Sequence, residues 1–364
     1  MVPDSRQCAE PLRCRRKSFR IRSPPCREAH MALTPVLDCL PILILSPHSR
    51  CNCRCVMCDI WKVTDAREID AGDLERHADS LEGMGVEWAV FSGGEPLMHS
   101  DLFRLCAVLR TRGIRVTVLS TGLLLEKHAQ AIVTNVDDVI VSLDGPSEVH
   151  DSIRRVPGAF VKLAAGVRAI HALRPEFPIT ARCTIQRLNH SKLLATIEAA
   201  RGLGLKEISF LAADVTSTAF NRPQVWTSDR QSSVALTTEQ LLALDAEIDA
   251  IARENKDGFV AESAAKLQKI AGHFRAHLGL ADQASPLCNA PWVSVVVEAD
   301  GVIRPCFFHR PIGKIDDTTT LREVVNGPEA LRFRASLDVA SNPICRRCVC
   351  SLNYGGAIAP TASK

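Results

Sequence analysis

Strand-like and helix-like segments alternate along the chain between Pro41 and Ala213. Short apolar runs such as PILILS and DVIVSLD are each followed by a longer stretch in which apolar residues recur at helical spacing. Strands joined in this way run parallel, and right-handed crossovers can close them into a complete or an incomplete barrel. The sequence therefore predicts an α/β fold with a parallel sheet covered by helices.

Composition limits the class of protein. The chain has 364 residues, room for one large and one small domain, and a net charge of only +3, which gives no reason to expect a nucleic-acid partner. No apolar run reaches the length of a membrane span, and the N-terminus lacks the apolar centre of a secretory signal. We therefore expect a cytoplasmic protein with no nucleic-acid or membrane partner and with reduced thiols.

The cysteine-rich segment SRCNCRCVMCDIWK, Ser49 to Lys62, follows the first predicted strand. It therefore lies at the carboxyl edge of the sheet, where parallel α/β folds place their active sites. The sequences SGGEP, STG and SLDG end the next three predicted strands and converge on the same edge. Clustered cysteines in a reducing compartment favour metal ligands or catalysts over disulfides.

Within this segment, Cys51, Cys55 and Cys58 have the spacing C-x3-C-x2-C. Together with GGEP and the later stretch SLDGPSEVHDSIRRVPGAF, this pattern resembles the radical S-adenosylmethionine (SAM) superfamily over about Pro41 to Ala213. The resemblance implies a partial (β/α)6 TIM-like barrel whose three thiolates hold a [4Fe-4S] cluster and leave one iron open for SAM. Reductive cleavage of SAM then gives a 5′-deoxyadenosyl radical that abstracts substrate hydrogen. Cys53 falls outside the spacing and is interpreted as a bystander.

The resemblance also implies SAM contacts. In the family, the glycine pair and Glu95 bind the SAM ammonium, and an arginine at the position of Arg154 lies near its carboxylate. The aromatic residue common before the third cysteine is replaced here by Met57, whose thioether can contact adenine. The residues implied to contact SAM are Met57, Gly93, Gly94, Glu95, Ser120, Thr121, Ser142 and Arg154. Tight turns, strand ends and a solvated charge are the simpler interpretations, and no general acid or base is identified.

A second cysteine pattern lies near the C-terminus. Cys288 and Cys306 flank an apolar run and an EADG turn, which predicts a hairpin, and CRRCVC follows. The set resembles the twitch domain, a short form of the SPASM domain. This implies one auxiliary [4Fe-4S] cluster held by Cys288, Cys306, Cys345 and Cys348, with Cys350 as an alternative to one of them. Structural zinc competes with this interpretation, because four cysteines in paired units also suit zinc.

The predicted organisation has five parts. They are a disordered basic tail over 1–35, a radical SAM core over 36–220, a linker and helices over 221–283, a twitch/SPASM-like iron–sulfur module over 284–354, and a tail over 355–364.

The resemblance implies oxidative modification of a peptide or a small metabolite, with the auxiliary cluster as electron relay. A flavodoxin or ferredoxin is the expected electron donor. One alternative is a radical transferase or adduct-forming enzyme, or one like the enzyme that makes the molybdopterin precursor. The other is a zinc-stabilised binding protein without catalysis.

Overall fold

The computed structural model describes residues 34–356. The predicted N-terminal tail, apart from its last two residues, and the C-terminal tail beyond residue 356 lie outside this range.

Within residues 34–356, nine strands form one sheet in the order β6-β5-β4-β3-β2-β1-β7-β8-β9. The strands are β1 (Ile42–Leu45), β2 (Trp88–Phe91), β3 (Arg115–Ser120), β4 (Asp138–Ser142), β5 (Ile179–Ile185), β6 (Ile208–Ala212), β7 (Ser294–Val297), β8 (Val302–Arg304) and β9 (Gly313–Lys314). Each of β1 to β6 pairs in parallel with its neighbour in the chain, and Ile44, for example, lies opposite Val90. The predicted parallel α/β fold is therefore confirmed.

Helices connect these strands and cover one face of the sheet. They are α1 (Ala71–Gly83), α2 (Leu102–Arg110), α3 (Leu125–Asn135), α4 (Ser147–Arg154), α5 (Ala159–Leu173), α6 (Leu193–Gly202), α7 (Ser228–Ser232), α8 (Thr238–Glu254), α9 (Ala264–His277), α10 (Ala290–Val293), α11 (Leu321–Val325), α12 (Pro328–Ser336) and α13 (Pro343–Arg346). In the described part of the chain no single helix has the length and apolarity to cross a membrane, although the bent pair α4 and α5 meets those two criteria together.

The two faces of the sheet differ in burial. Side chains such as Leu43, Ala89 and Val139 point toward the helices and are at most 1% exposed. Their neighbours in the strands, such as Ile44, Val90 and Ile140, point the other way and are only partly buried. The period of two along each strand therefore separates a packed core from an inner face that borders open space.

The predicted hairpin near the C-terminus is confirmed. Strands β7 and β8 are antiparallel, with Val296 opposite Arg304, and the turn closes where Gly301 N–H donates to the Glu298 carbonyl at 2.9 Å. Strand β7 also pairs in parallel with β1, a contact that the sequence did not predict. Because β1 leads into the cysteine-rich segment, this pairing attaches the C-terminal cysteines to the same sheet.

Candidate active site

The cysteine loop, residues 51–58, is held against the end of α4. Arg54 N–H donates to the carbonyl of Arg154 and Val56 N–H donates to that of Ile153, each at 3.0 Å. These bonds tie a segment with no secondary structure of its own to a helix that ends nearly 100 residues later. They fix the loop at the carboxyl edge of the sheet, as the sequence predicts.

Donors and a cation surround the thiols of this loop. Arg154 Nη1 lies 3.5 Å from Cys55 Sγ, and Ile60 N–H donates to Cys58 Sγ at 3.4 Å. The hydrogen bond from Cys53 lowers the pKa of the Cys55 thiol, and the Arg154 charge acts in the same direction. Within residues 34–356, no three His, Cys, Asp or Glu side chains are arranged around a single metal ion. Cysteine thiolates are the ligands that hold iron–sulfur clusters, and the N–H of Ile60 and the charge of Arg154 would stabilise thiolates in this loop.

Glu95 is completely buried at the end of β2, and three donors surround its carboxylate. Leu97 N–H and the Ser120 hydroxyl donate to Oε1 at 3.1 and 2.9 Å, and Thr121 N–H donates to Oε2 at 2.6 Å. Burial raises the pKa of this carboxyl group. A carboxylate has about four acceptor positions, so one remains for a cation. The structure thus brings together Glu95, Ser120 and Thr121, and their predicted contact with SAM stays a prediction.

The two glycines before Glu95 allow the loop after β2 to touch the cysteine loop. Gly93 has φ +90°, and a Cβ on Gly94 would lie 2.0 Å from the carbonyl oxygen of Arg50. In the same place Glu95 N–H donates to that carbonyl at 2.9 Å. The glycine pair is therefore required for packing, whether or not its backbone also contacts a ligand.

Arg154 forms a buried ion pair. Its Nη2 lies 2.6 Å from Asp144 Oδ2, and Asp144 also accepts a hydrogen bond from Thr184 N–H at 2.9 Å. The guanidinium thus already contacts a carboxylate and the sulfur of Cys55. Its predicted role near the SAM carboxylate stays a prediction, as does that of Ser142, which lies at the end of β4 and is half-buried.

The segment after β6 contacts the backbone of the cysteine loop. No motif in the sequence predicts this contact. Arg222 pairs with Asp214 at 2.5 Å and donates through Nη2 to the carbonyl of Met57 at 3.0 Å. Trp226 Nε1–H donates to Asp59 Oδ2 at 2.8 Å, and its ring lies 3.8 Å from the Arg222 guanidinium. Part of the predicted linker therefore packs on the cysteine loop.

Several buried polar atoms near the cysteine loop have no partner among the described residues. They include Asn52 Nδ2, Arg154 Nε and Gln186 Oε1. Gln186 Nε2 lies 3.7 Å from the sulfur of Met57, so these atoms border the predicted adenine contact. Buried polar groups are normally paired, and such unpaired atoms are what a polar ligand such as SAM would satisfy.

The C-terminal cysteines come together as the sequence predicts. Burial, together with the nearby thiols of Cys306 and Cys288, raises the pKa of the Cys345 thiol to about 12. Backbone N–H groups point at two sulfurs, Leu352 N–H at Cys288 Sγ (3.5 Å) and Cys350 N–H at Cys348 Sγ (3.3 Å). Such bonds are typical of iron–sulfur thiolates.

His309 also lies in this group, and the sequence analysis did not identify it. It is 5% exposed, and its Nε2 lies 3.3 Å from Cys345 Sγ.

A cavity of about 280 Å³ lies beside the C-terminal cysteines, and its lining includes Cys288, Cys306, Cys345, Cys348 and Cys350. The lining also includes apolar side chains from the inner face of the sheet and Ser92, which immediately precedes Gly93 and Gly94. A molecule in this cavity would therefore contact the C-terminal cysteines and the start of the loop after β2.

Comparison with known families agrees with this arrangement. The sequence profile of the Radical SAM superfamily matches residues 45–213, and that of SPASM, an iron–sulfur cluster-binding domain, matches residues 288–349. The chain belongs to the radical SAM superfamily and carries a C-terminal SPASM-type auxiliary-cluster module. It is thus a radical SAM enzyme whose cofactors are SAM and [4Fe-4S] clusters.

Curated relatives match part of the chain. The AdoMet-dependent heme synthase of Methanosarcina barkeri is 30% identical over 159 residues, 42% of this chain and 45% of that protein. The GTP 3′,8-cyclase of Chlorobaculum tepidum is 28% identical over 209 residues, 56% of this chain and 61% of that protein. The chain therefore spans less than two thirds of the length of these relatives.

A solved structure shares the fold over most of the chain. Streptococcus suis SuiB, bound to S-adenosylmethionine, has a TM-score of 0.62 at 15% identity and covers 87% of this chain and 74% of its own. At this identity the likeness concerns the fold.

Proposed function

We propose that this enzyme cleaves SAM reductively and oxidises a small metabolite or a single peptide side chain, with an auxiliary [4Fe-4S] cluster as electron acceptor. The observation that carries the proposal is a cavity that the C-terminal cysteines line together with Ser92, at the start of the loop that carries Gly93 and Gly94. Net oxidation of a substrate radical requires an electron acceptor beside the substrate. The C-terminal cysteines line the cavity and support an acceptor at that place.

Bound SAM supplies the 5′-deoxyadenosyl radical, and the residues of the chain position it. Cys51, Cys55 and Cys58 would hold the first cluster, and Glu95 would use its remaining acceptor position for the SAM ammonium. The buried, largely apolar walls of the cavity would keep water away from the reacting centre. Cys288, Cys306, Cys345 and Cys348 would hold the auxiliary cluster, with Cys350 as the alternative ligand.

The size of the cavity bears on the substrate. About 280 Å³ is at the lower end of ligand pockets and fits a small molecule or one side chain of a longer one. SuiB, which shares the fold, was also solved with its precursor peptide SuiA, so this fold accommodates a peptide in that protein. A flavodoxin or ferredoxin stays the predicted electron donor.

Anaerobic reconstitution tests the proposal. Two [4Fe-4S] clusters predict about eight irons per chain in the wild type and about four in the Cys51/Cys55/Cys58→Ala variant. Dithionite-reduced wild type should convert SAM to 5′-deoxyadenosine, and the triple variant should not. Cys106→Ala is the matched control, because Cys106 is buried in α2 away from both sets, and it should keep all its iron. Zinc in place of iron would refute the proposal.

The product distinguishes the alternatives. Oxidation gives a product lighter by two hydrogens and one 5′-deoxyadenosine per turnover, whereas a transferase leaves an adenosyl group or another adduct on its substrate.

A further inference from the structure

The lining of the cavity includes the positively charged side chain of Arg182. Arg182 lies in the middle of β5, and it is the single charged residue in the strand sequence ITARCTI. Its neighbours Ala181 and Cys183 are buried on the helix-covered face, at 1% and 0% exposure, so Arg182 points to the inner face, where it is exposed and lines the cavity. A cationic side chain at such a position in a strand contributes nothing to the packed core.

Arg182 has no acidic partner among the described residues. Its hydrogen bond within residues 34–356 runs from Nε to the Ser209 hydroxyl at 3.4 Å and leaves the fork of the guanidinium open. The other cation of the cavity lining, Lys266, is paired with Glu262 at 3.3 Å, and Glu262 also accepts from Phe210 N–H at 2.8 Å. Lys266 and Glu262 thus neutralise each other, and Arg182 is the guanidinium of this lining that has no carboxylate partner among the described residues.

The register places this charge beside the predicted SAM site. Arg182 lies directly opposite Ser142 on the adjacent strand β4, and neighbouring strands are about 4.8 Å apart. Arg182 also shares the cavity lining with Cys350 of the C-terminal set. The Arg182 guanidinium is therefore close to the predicted SAM site and to the C-terminal cysteines, both of which a substrate must approach in the proposed function.

We propose that Arg182 binds a carboxylate of the substrate, so that the substrate class is a monocarboxylate with an apolar body. A guanidinium presents paired donors that match a carboxylate, and the remaining cavity wall is largely apolar, with Ile44, Val90, Leu119 and Leu211 among its members. A single guanidinium without a carboxylate partner, that of Arg182, suits a ligand with one anionic group better than a polyphosphate. This inference rests on the proposed function and names the substrate class of the same site.

Binding of a simple probe series tests the inference. Cluster-loaded, SAM-bound full-length protein is titrated anaerobically with hexanoate, hexanamide and hexyl phosphate in a calorimeter. Wild type should bind hexanoate roughly 10- to 100-fold more tightly than hexanamide, and Arg182→Gln should abolish that preference. Arg182→Lys keeps the charge without the fork and should give an intermediate preference. Arg168→Gln, which removes the same charge from the exposed side of α5, should behave as wild type.

Four results would overturn the inference. The first is that wild type binds hexanoate and hexanamide with equal affinity or binds neither. The second is that Arg182→Gln keeps the preference for hexanoate, and the third is that wild type binds hexyl phosphate more tightly than hexanoate. The fourth is that Arg182→Gln loses affinity for SAM. The last would assign the guanidinium to SAM itself. The proposed function is tested separately by SAM cleavage in wild type without any probe, so the two can fail independently.

Discussion

The guanidinium of Arg154 lies 2.6 Å from the carboxylate of Asp144 in an ion pair, and both side chains are buried. Removing one partner of such a pair leaves the other as an uncompensated buried charge and costs about 3–5 kcal/mol. We expect Arg154→Met to lower the free energy of unfolding, measured by urea denaturation, by an amount in this range. The exposed pair between Arg104 and Glu75, at 3.1 Å, provides the control, because Arg104→Met should cost less than about 1 kcal/mol. Equal losses in the two variants would contradict the expectation.

Gly94→Ala should separate the loops after β1 and β2. The added Cβ would lie 2.0 Å from the backbone oxygen of Arg50, which immediately precedes the cysteine loop and is not free to move away as a flexible side chain is. We expect the variant to lose iron from the first cluster and to melt at lower temperature. Gly272→Ala in α9 meets nothing within 4 Å and should stabilise the helix by about 0.5–1 kcal/mol. A Gly94→Ala protein with full iron content would show that the contact is dispensable.

His150 predicts a pH dependence of stability. Burial and the charge of Arg154 together lower its pKa to about 3, whereas a histidine in the unfolded chain titrates near 6.5. Between these values only the unfolded chain binds the proton, so the contribution of His150 is present above pH 6.5 and is lost as the pH falls toward 3. Between pH 7.5 and pH 5.5, wild type should lose about 1.4 kcal/mol more than His150→Asn. Urea unfolding at the two pH values measures this, and equal losses would contradict it.

Trp226→Phe tests the contact between the segment after β6 and the cysteine loop. Phenylalanine keeps a ring beside Arg222 but removes the donor to Asp59 Oδ2, and an unsatisfied buried acceptor costs about 1–3 kcal/mol. We expect faster loss of iron on exposure to a chelator, with SAM affinity reduced as the loop loosens. Trp61→Phe removes the donor to the Cys58 carbonyl from a more exposed ring and should have the smaller effect. A larger effect of Trp61→Phe than of Trp226→Phe would show that the contact between Trp226 and Asp59 is not the main restraint on the loop.

The fold follows from local signals, and the contacts of the site do not. Helix α1 covers Ala71–Gly83, and its apolar spacing and the capping by Asp70 both lie in adjacent residues, where sequence patterns can show them. Helix α4 is short and partly polar and starts directly after a proline, so its sequence carries little helical signal. Arg222 lies 165 positions from Met57, and a side chain that binds a backbone carbonyl leaves no periodic pattern in either segment. The inward direction of Arg182 depends on strand register and is equally invisible in the sequence.

His309→Phe should lower the reduction potential of the auxiliary cluster. In the tautomer with the proton on Nε2, His309 donates to Cys345 Sγ at 3.3 Å, and a hydrogen bond to a cluster thiolate raises the potential by stabilising the added negative charge. Phenylalanine keeps the ring contact with Phe333, whose centroid lies 4.9 Å away, without the donor. A redox titration followed by electron paramagnetic resonance measures the effect in the Cys51/Cys55/Cys58→Ala background, where the auxiliary cluster is the one that remains. His273→Phe, on α9 outside the cysteine set, is the control, and an equal shift in both variants would show that His309 does not act through Cys345.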